Sequence, residues 1–531
     1  VQGRRIYQCG AILILLAGLG YLLQSVFSLT GGLLVYTLDD PYIHLAVAEE
    51  ILRGNFGVNP NEPASPSSSI LYPVLLSALM AIGFGDMAPL LLNIIGACVT
   101  AWIVAGVFWS TTVVPKSRLQ VAFAIFLLPL LLLALNLIAL PMVGMEHTLH
   151  VLASVCVVLA MYQLDRGQSP SALLLSCILW APLLRFEGLA IALPALVALL
   201  IARRFGAFTV LTFALIAAFS AYVLIMQSFG LPALPSSVLV KSSISEAAYD
   251  RGSFEAISRL VYSTLDSLRN PRGVQIGLAL GLLIMSLSYQ RPANGGHWLT
   301  VGVASTAIAG HIVMGQYGWF SRYEVYVLAI SIVALLLVWG EALLSVRKRS
   351  FFKFASIAVF LAVIAGPYAF TTLRTPHASE NIFAQQYQMH RFATDYFPRP
   401  VAVNDLGYVS YENDVHVLDL WGLGSEVARK MNAGGERSAD ALIALTTEEG
   451  SVYAMIYGDW FAGDIPNTWC QMATLHTPQV TAALGEVDFY LIDSEYEPEF
   501  LQALQSFAES LPKVSSLSIQ SCEGTVDLNS D

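Results

Sequence analysis

The chain has 531 residues, 56% of them hydrophobic and only 12% charged, with a mean hydropathy of +0.64. Soluble globular domains carry about 25% charged residues, so this composition excludes an ordinary soluble enzyme and points to a polytopic α-helical membrane protein. The formal net charge of -11 comes mostly from the polar tail after residue 376, and no run of Lys and Arg suits nucleic acid as a partner.

A helix crosses the bilayer with about 20 apolar residues, and cytoplasmic loops collect Lys and Arg. Arg4 and Arg5 therefore place the N-terminus inside. The first apolar run, 8–29, reads as an uncleaved signal anchor, because an acidic loop follows it rather than a small-residue cleavage site. The first outer loop, 30–87, opens with Leu38-Asp39-Asp40-Pro41-Tyr42-Ile43-His44. It continues through a predicted short helix at 46–53 and a Pro- and Ser-rich stretch at 59–69, and ends in an apolar run at 70–84. Counting that run as a span would put Lys116, Arg118, Arg166, Arg203, Arg204 and the cluster Arg347-Lys348-Arg349 outside. Reading it as a helix on the outer surface returns all of them to the cytoplasm. The other spans are then 88–109, 119–139, 147–164, 170–184, 188–202, 206–228, 273–290, 297–314, 323–345 and 351–371. That makes about eleven, with the C-terminus outside.

This topology gathers ionisable groups at the outer face. Asp39 and Asp40 suit a general base beside an orienting or metal-binding carboxylate, and a divalent cation (Mg, Mn or Ca) would be their cofactor. The competing reading is a helix N-cap, with Asp40 at the cap and Pro41 in the first helical position. Arg185 and Arg322 suit a phosphate at the membrane surface, because the guanidinium fork matches its oxygens; snorkelling to lipid headgroups is the alternative. Lys241, in the outer loop 229–272, is a further candidate phosphate contact. His44 follows Asp40 by four residues and shares its helix face. Glu146 and His147 are candidate cavity residues, with Glu146 as a simple helix cap the plainer option. Tyr42, Glu187, Tyr317 and Tyr323 complete the candidate substrate contacts, although Tyr317, Trp319 and Tyr323 also suit an interfacial aromatic belt.

From about 376 the tail reads as a soluble α/β domain, 376–531, following a transmembrane part of 1–375. Helices are expected at 378–396 and 499–511, and strands at 400–404, 415–420, 451–457 and 487–492. No glycine-rich phosphate loop follows any of these strands. Cys9, Cys98, Cys156 and Cys177 lie in apolar runs as packing residues, whereas Cys470 and Cys522 can pair if the tail faces an oxidising compartment.

The order of these features resembles the GT-C superfamily of membrane glycosyltransferases that use polyprenyl-phosphate sugars, and within it the AftB-type terminal arabinofuranosyltransferases. The resemblance is carried by Asp39-Asp40-Pro41-Tyr42-Ile43 after the first span, then Gly57-Val58-Asn59-Pro60-Asn61-Glu62-Pro63 and Ser65-Pro66-Ser67. Gly144-Met145-Glu146, Arg185-Phe186-Glu187-Gly188, Arg322-Tyr323, Val401-Ala402-Val403-Asn404-Asp405-Leu406-Gly407 and Val417-Leu418-Asp419-Leu420 follow. Pro41, His44 and Phe186 depart from the family pattern and bear on the sugar.

The resemblance implies that Asp39 or Asp40 is the catalytic acid of the first outer loop. It implies transfer of one sugar, arabinofuranose, to a glycan, glycolipid or protein acceptor outside a bacterial cytoplasmic (inner) membrane, with the tail periplasmic or extracellular. The rival readings are a secondary transporter or lipid-linked-sugar flippase, which would place ionisable groups mid-span, and a scaffold whose tail does the work.

Overall fold

The first helix, α1 (Gln2–Leu29), has 28 residues and rises about 42 Å at 1.5 Å per residue. Ala11, Leu15, Leu19, Leu22 and Val26 are buried at helical spacing, while Leu13 and Tyr21 on other faces are exposed. A helix that is apolar all round yet packed along one stripe is one whose other faces meet lipid. The fold is that of a computed structural model describing residues 2–60, 62–112, 118–241, 253–289, 296–344 and 350–522. Lys116 and the Arg347-Lys348-Arg349 cluster lie outside the described residues.

Among the described residues, six helices are long and apolar enough to cross a membrane, and five shorter apolar helices accompany them. In chain order, α2 (Asp40–Arg53) and α3 (Tyr72–Met80), with a small hairpin of β1 (Gly57–Asn59) and β2 (Glu62–Pro63), form the segment that the sequence reads as the first outer loop. At nine residues α3 rises only about 14 Å, half of a hydrocarbon core about 30 Å thick, so it cannot cross. The helical bundle continues with α4 (Ala88–Thr112), α5 (Arg118–Ala134), α6 (His147–Asp165), α7 (Ala172–Leu184), α8 (Leu189–Ile201), α9 (Phe205–Ser228) and the short α10 (Ser236–Lys241). Pro182 and Pro194 lie inside α7 and α8, and the break between those helices carries Arg185. The helices Pro271–Tyr289, Trp298–Met314 and Val325–Leu344 complete the bundle. Within 229–272, where the sequence predicts a loop, the helix Ser253–Arg269 exposes Phe254, Ile257, Val261, Leu265 and Leu268 along one side, a pattern that suits a membrane interface.

The boundary expected at 375/376 falls inside one continuous helix, Ser350–Ala384. It leads into a six-stranded sheet of order β4-β3-β5-β7-β6-β8. The strands are β3 (Val401–Val403), β4 (Val417–Asp419), β5 (Tyr453–Ile456), β6 (Cys470–His476), β7 (Glu486–Leu491) and β8 (Ser516–Ile519). β3 runs parallel to β4 and β5, and the remaining pairs are antiparallel. Side chains alternate across a strand. Val401, Val403, Tyr453 and Met455 therefore pack with Phe500 and Phe507 of the helix Glu497–Ser510, while Ala402, Ala454 and Ile456 face Ala428 and Leu442 of the helices Glu426–Gly434 and Ala439–Glu448. The first of these cores is continuous with Tyr36, Tyr42, Val47, Val58 and Tyr72 of the first outer loop. The tail domain, which the sequence reads as the outer domain, is thus fused to that loop through shared apolar packing.

Cys470 and Cys522 form a disulfide, with Cα atoms 5.5 Å apart and a sequence separation of 52. Closing a loop of that length stabilises by about 4 kcal/mol in the chain-entropy account. Reduction of the full chain should therefore lower the unfolding midpoint of the outer domain by several degrees, read by differential scanning fluorimetry with and without reductant. An unchanged midpoint would mean the bridge contributes nothing to its stability.

Candidate active site

The two adjacent aspartates at the exit of α1 point to different partners. Asp39 occupies the N-cap position of α2, one residue earlier than the cap expected at Asp40, and makes no side-chain bond to its own helix. Its carboxylate instead accepts the backbone N–H groups of Gly407 and Tyr408 in the outer domain, each at 2.7 Å. That close approach requires glycine at 407, because a Cβ there would collide with the backbone oxygen and carboxylate of Asp39. Burial raises the Asp39 pKa well above the carboxylate range, and Asp405 adds to the shift, against the two N–H donors. Asp405 is also raised by burial, although Gln386 Nε2 at 2.8 Å, the Tyr457 hydroxyl at 3.2 Å and Asp39 itself all donate or share hydrogen bonds with it.

Burial thus raises both carboxyls, and each bears on the titration of the other. Because both pKa values are raised, their stabilising effect is full below the ordinary carboxylate range and is lost as pH rises through the elevated values. Stability of the joint should fall with rising pH, and Asp405→Asn, which keeps an acceptor for Gln386 and Tyr457, should flatten that dependence. Hydrogen exchange at Gly407 and Tyr408 across pH reads it; a variant as pH-sensitive as the parent would remove the pair as the cause.

Asp40 opens α2, and its Oδ2 accepts from Arg322 Nη1 at 3.0 Å. Arg322 is 1% exposed. Its Nη1 also meets Met145 Sδ at 3.1 Å, its Nη2 donates to the Tyr323 hydroxyl at 3.1 Å, and its Nε has no hydrogen-bond partner among the described residues. Burial disfavours its charge, but Asp40 and Tyr323 outweigh that and hold it protonated. The backbone delivers Arg322 through four successive left-handed residues, Gly318, Trp319, Phe320 and Ser321, closed by Arg322 N–H to Gly318 O at 3.2 Å. Each non-glycine residue there costs about 1–2 kcal/mol, and strain of this kind concentrates at functional sites.

Arg185, in the break between α7 and α8, donates to Glu146 Oε1 at 2.6 Å and Glu187 Oε1 at 2.7 Å. Its guanidinium carbon lies 5.8 Å from the centre of the Tyr323 ring, and that of Arg322 lies 4.9 Å from the same ring. One aromatic ring therefore stands beside both cations. Glu146 is fully buried and also accepts from Ser68 Oγ at 3.1 Å and faces His44 Nε2 at 3.4 Å, while His44 Nδ1 meets Ser67 Oγ at 3.1 Å. It makes no cap bond to α6, so the plainer reading of Glu146 as a helix cap fails: its side chain is spent on the arginine.

Arg185, Arg322 and Tyr323 border a cavity of about 600 Å³, to which Asp40 and Glu146 connect through the two arginines. Ser68, Arg185, Glu187, Arg322 and Tyr323 form its polar end; Leu189, Leu193 and Pro194 of α8, with Leu234, Val238 and Met314, form apolar walls. Leu193 is 53% exposed, so the wall reaches the surface that faces lipid. His311 and Tyr326 also line it, and His150 packs 4.6 Å from the Tyr326 ring. The sequence reading missed Ser68, His150, His311 and Tyr326; Glu146, His147 and His150 at helical spacing were the available signal for His150.

The other candidates sit elsewhere. Tyr42 stacks on Tyr408 with ring centres 3.8 Å apart and its hydroxyl accepts from Tyr36 N–H, so it belongs to the joint with the outer domain. His44 supports Glu146. His147 lies edge-on to Tyr323 at 6.1 Å, and Tyr317 packs against His311 at 5.2 Å. Lys241 ends α10, with its side chain outside the described residues. Among the described residues, no group of three or more His, Cys, Asp or Glu is arranged to hold a metal ion. Both Asp39 oxygens take N–H groups and Asp40 faces a guanidinium, so the pair does not fit a divalent cation.

A family model described as a domain of unknown function (DUF8728) matches residues 380–493, within the outer domain. No curated protein matches. Among solved structures, the apo oligosaccharyltransferase of Archaeoglobus fulgidus is similar at 14% identity with a TM-score of 0.47, over 90% of this chain and 74% of that one. The archaeal oligosaccharyltransferase AglB of the same organism, in complex with an inhibitory peptide and a dolichol-phosphate, is similar at 11% identity with a TM-score of 0.41, over 91% and 74%.

Proposed function

We propose that the chain is a membrane glycosyltransferase that moves a single sugar from a polyprenyl-phosphate donor to a glycan, glycolipid or protein acceptor outside the bacterial cytoplasmic membrane. The observation that carries this reading is the placement of two buried arginines at the polar end of a cavity whose other walls are apolar and reach the lipid face. A phosphate with a long hydrocarbon tail is the ligand that such a cavity suits. Arabinofuranose is the sugar the sequence resemblance implies. The disulfide of the outer domain suits a compartment outside the cytosol.

In this reading the acceptor hydroxyl oxygen attacks the anomeric carbon and gives its proton to the Asp40 carboxylate. The bond from the anomeric carbon to the phosphate oxygen breaks, its electron pair stays on that oxygen, and polyprenyl phosphate leaves. Arg185 and the unpartnered Nε of Arg322 stabilise the charge that develops on the phosphate. Glu146 and Glu187 hold Arg185 in place, and Tyr323 keeps the two cations at a fixed separation. No step uses a metal ion.

The test is sugar transfer by the purified full chain from a panel of synthetic polyprenyl-phosphate sugars, with donor binding measured alongside. Transfer from one donor supports the reading and names the sugar; neither binding nor transfer from any donor overturns it in favour of transport. Arg185→Lys keeps a charge beside Glu146 but loses the fork. It should raise donor KM about tenfold, equivalent to about 1.4 kcal/mol, with a smaller change in kcat; an unchanged donor KM would remove Arg185 from the phosphate site.

A further inference from the structure

A second cleft, of about 410 Å³, lies in the outer domain away from the arginine cavity. Its walls are Trp421, Arg429, Asn432, Arg437 and Asp464, closed on one side by Leu239 and Val240 of α10. The neighbouring Ser237 and Val238 of the same short helix line the arginine cavity. One helix therefore separates the two spaces.

The cleft is built from side chains already fixed by other bonds. The Asp419 carboxylate accepts the N–H groups of Trp421, Leu423 and Gly424, which sets the turn carrying Trp421, and Trp421 packs on Trp460 with ring centres 4.7 Å apart. Asn432 Nδ2 donates to the carbonyls of Leu420 and Trp421, both at 3.0 Å, and its Oδ1 has no partner among the described residues. The two guanidiniums are neutralised in place: Arg429 forks onto Glu426 at 2.8 and 2.9 Å, and Arg437 Nε meets Asp464 at 2.8 Å.

Each cation already has a carboxylate, so the wall offers paired donors and acceptors without net charge. An anion would have to displace those carboxylates. A neutral polyhydroxylated ligand matches the wall as it stands, because each hydroxyl both donates and accepts and an indole offers an apolar, rigid surface to C–H groups. We propose that this cleft binds a neutral oligosaccharide and holds the acceptor glycan. The binding site stands on the geometry of the outer domain alone; its assignment to the acceptor rests on the transfer reading.

Calorimetric titration of the purified full chain in nanodiscs tests it, with neutral hexasaccharides of arabinofuranose, mannose and galactose, an acidic hexagalacturonide, and inorganic phosphate as probes. The expected result is binding of at least one neutral hexasaccharide, weakened at least tenfold by Trp421→Ala and severalfold by Arg437→Lys, which keeps a charge beside Asp464 and is the milder change should the first variant fold poorly. Binding of no neutral probe, binding of only the acidic probe or phosphate, or affinity unchanged in both variants overturns the site. With transfer established, Trp421→Ala should raise acceptor KM at least tenfold with donor KM unchanged. Neutral binding that leaves acceptor KM untouched would overturn the acceptor assignment, while the donor reading is judged separately by donor binding.

Discussion

Asp40→Asn in the purified full chain should lower the rate of sugar transfer by about 10²–10⁴, the range that a positioned general base contributes, while donor affinity stays within a fewfold of the parent. The amide carbonyl still accepts from Arg322, now 3.0 Å from Asp40 Oδ2, so the arginine keeps its place and the loss isolates the proton acceptor. Single-turnover transfer, with donor binding measured in the same preparation, reads the result. An Asp40→Asn protein that transfers sugar normally would end the assignment of Asp40, whatever the donor proved to be.

Asp39→Ala should act by another route. It leaves the N–H groups of Gly407 and Tyr408 buried without acceptors, at about 1–3 kcal/mol each, so the joint between the first outer loop and the outer domain should weaken by several kcal/mol. Limited proteolysis and hydrogen exchange should show the outer domain released, with the spanning helices still protected. Activity should fall only as far as docking does. Gly407→Ala should reproduce the release from the opposite side of the same contact, because the added Cβ meets Asp39. A protein in which Asp39→Ala abolishes transfer with the joint intact would make Asp39, not Asp40, the proton acceptor.

The contrast between these neighbours explains what was legible beforehand. Their presence at the exit of the first apolar run was plain, and so was a helix starting near Pro41, since proline fits the first turn. Which of them met the cavity's arginine was not, because the partners of Asp39 lie 368 and 369 residues away and that of Asp40 lies 282 away. Arg185, Arg322 and Tyr323 were singled out one by one, but a ring beside two guanidiniums has no local signature. In the outer domain, β5 was recognised from a continuous apolar run and β7 from one interrupted by Asp488 alone. β6 and β8 were missed: β6 carries a register shift between Gln471 and Ala473 that breaks its alternation, and β8 is a half-exposed edge strand, Ser516–Ile519.

The sequence by itself therefore determined the membrane class, most of the long apolar helices, a non-spanning helix within the run 70–84 and the α/β character of the tail, because each follows from local apolar periodicity and from the length a bilayer demands. The tertiary structure alone decided the division of labour between Asp39 and Asp40, the joining of the first outer loop to residues 407 and 408, the left-handed turn that carries Arg322, and the neutral cleft at Trp421. Those depend on contacts between residues far apart in the chain, where geometry at the meeting point, rather than any property of either segment alone, fixes which polar groups are satisfied.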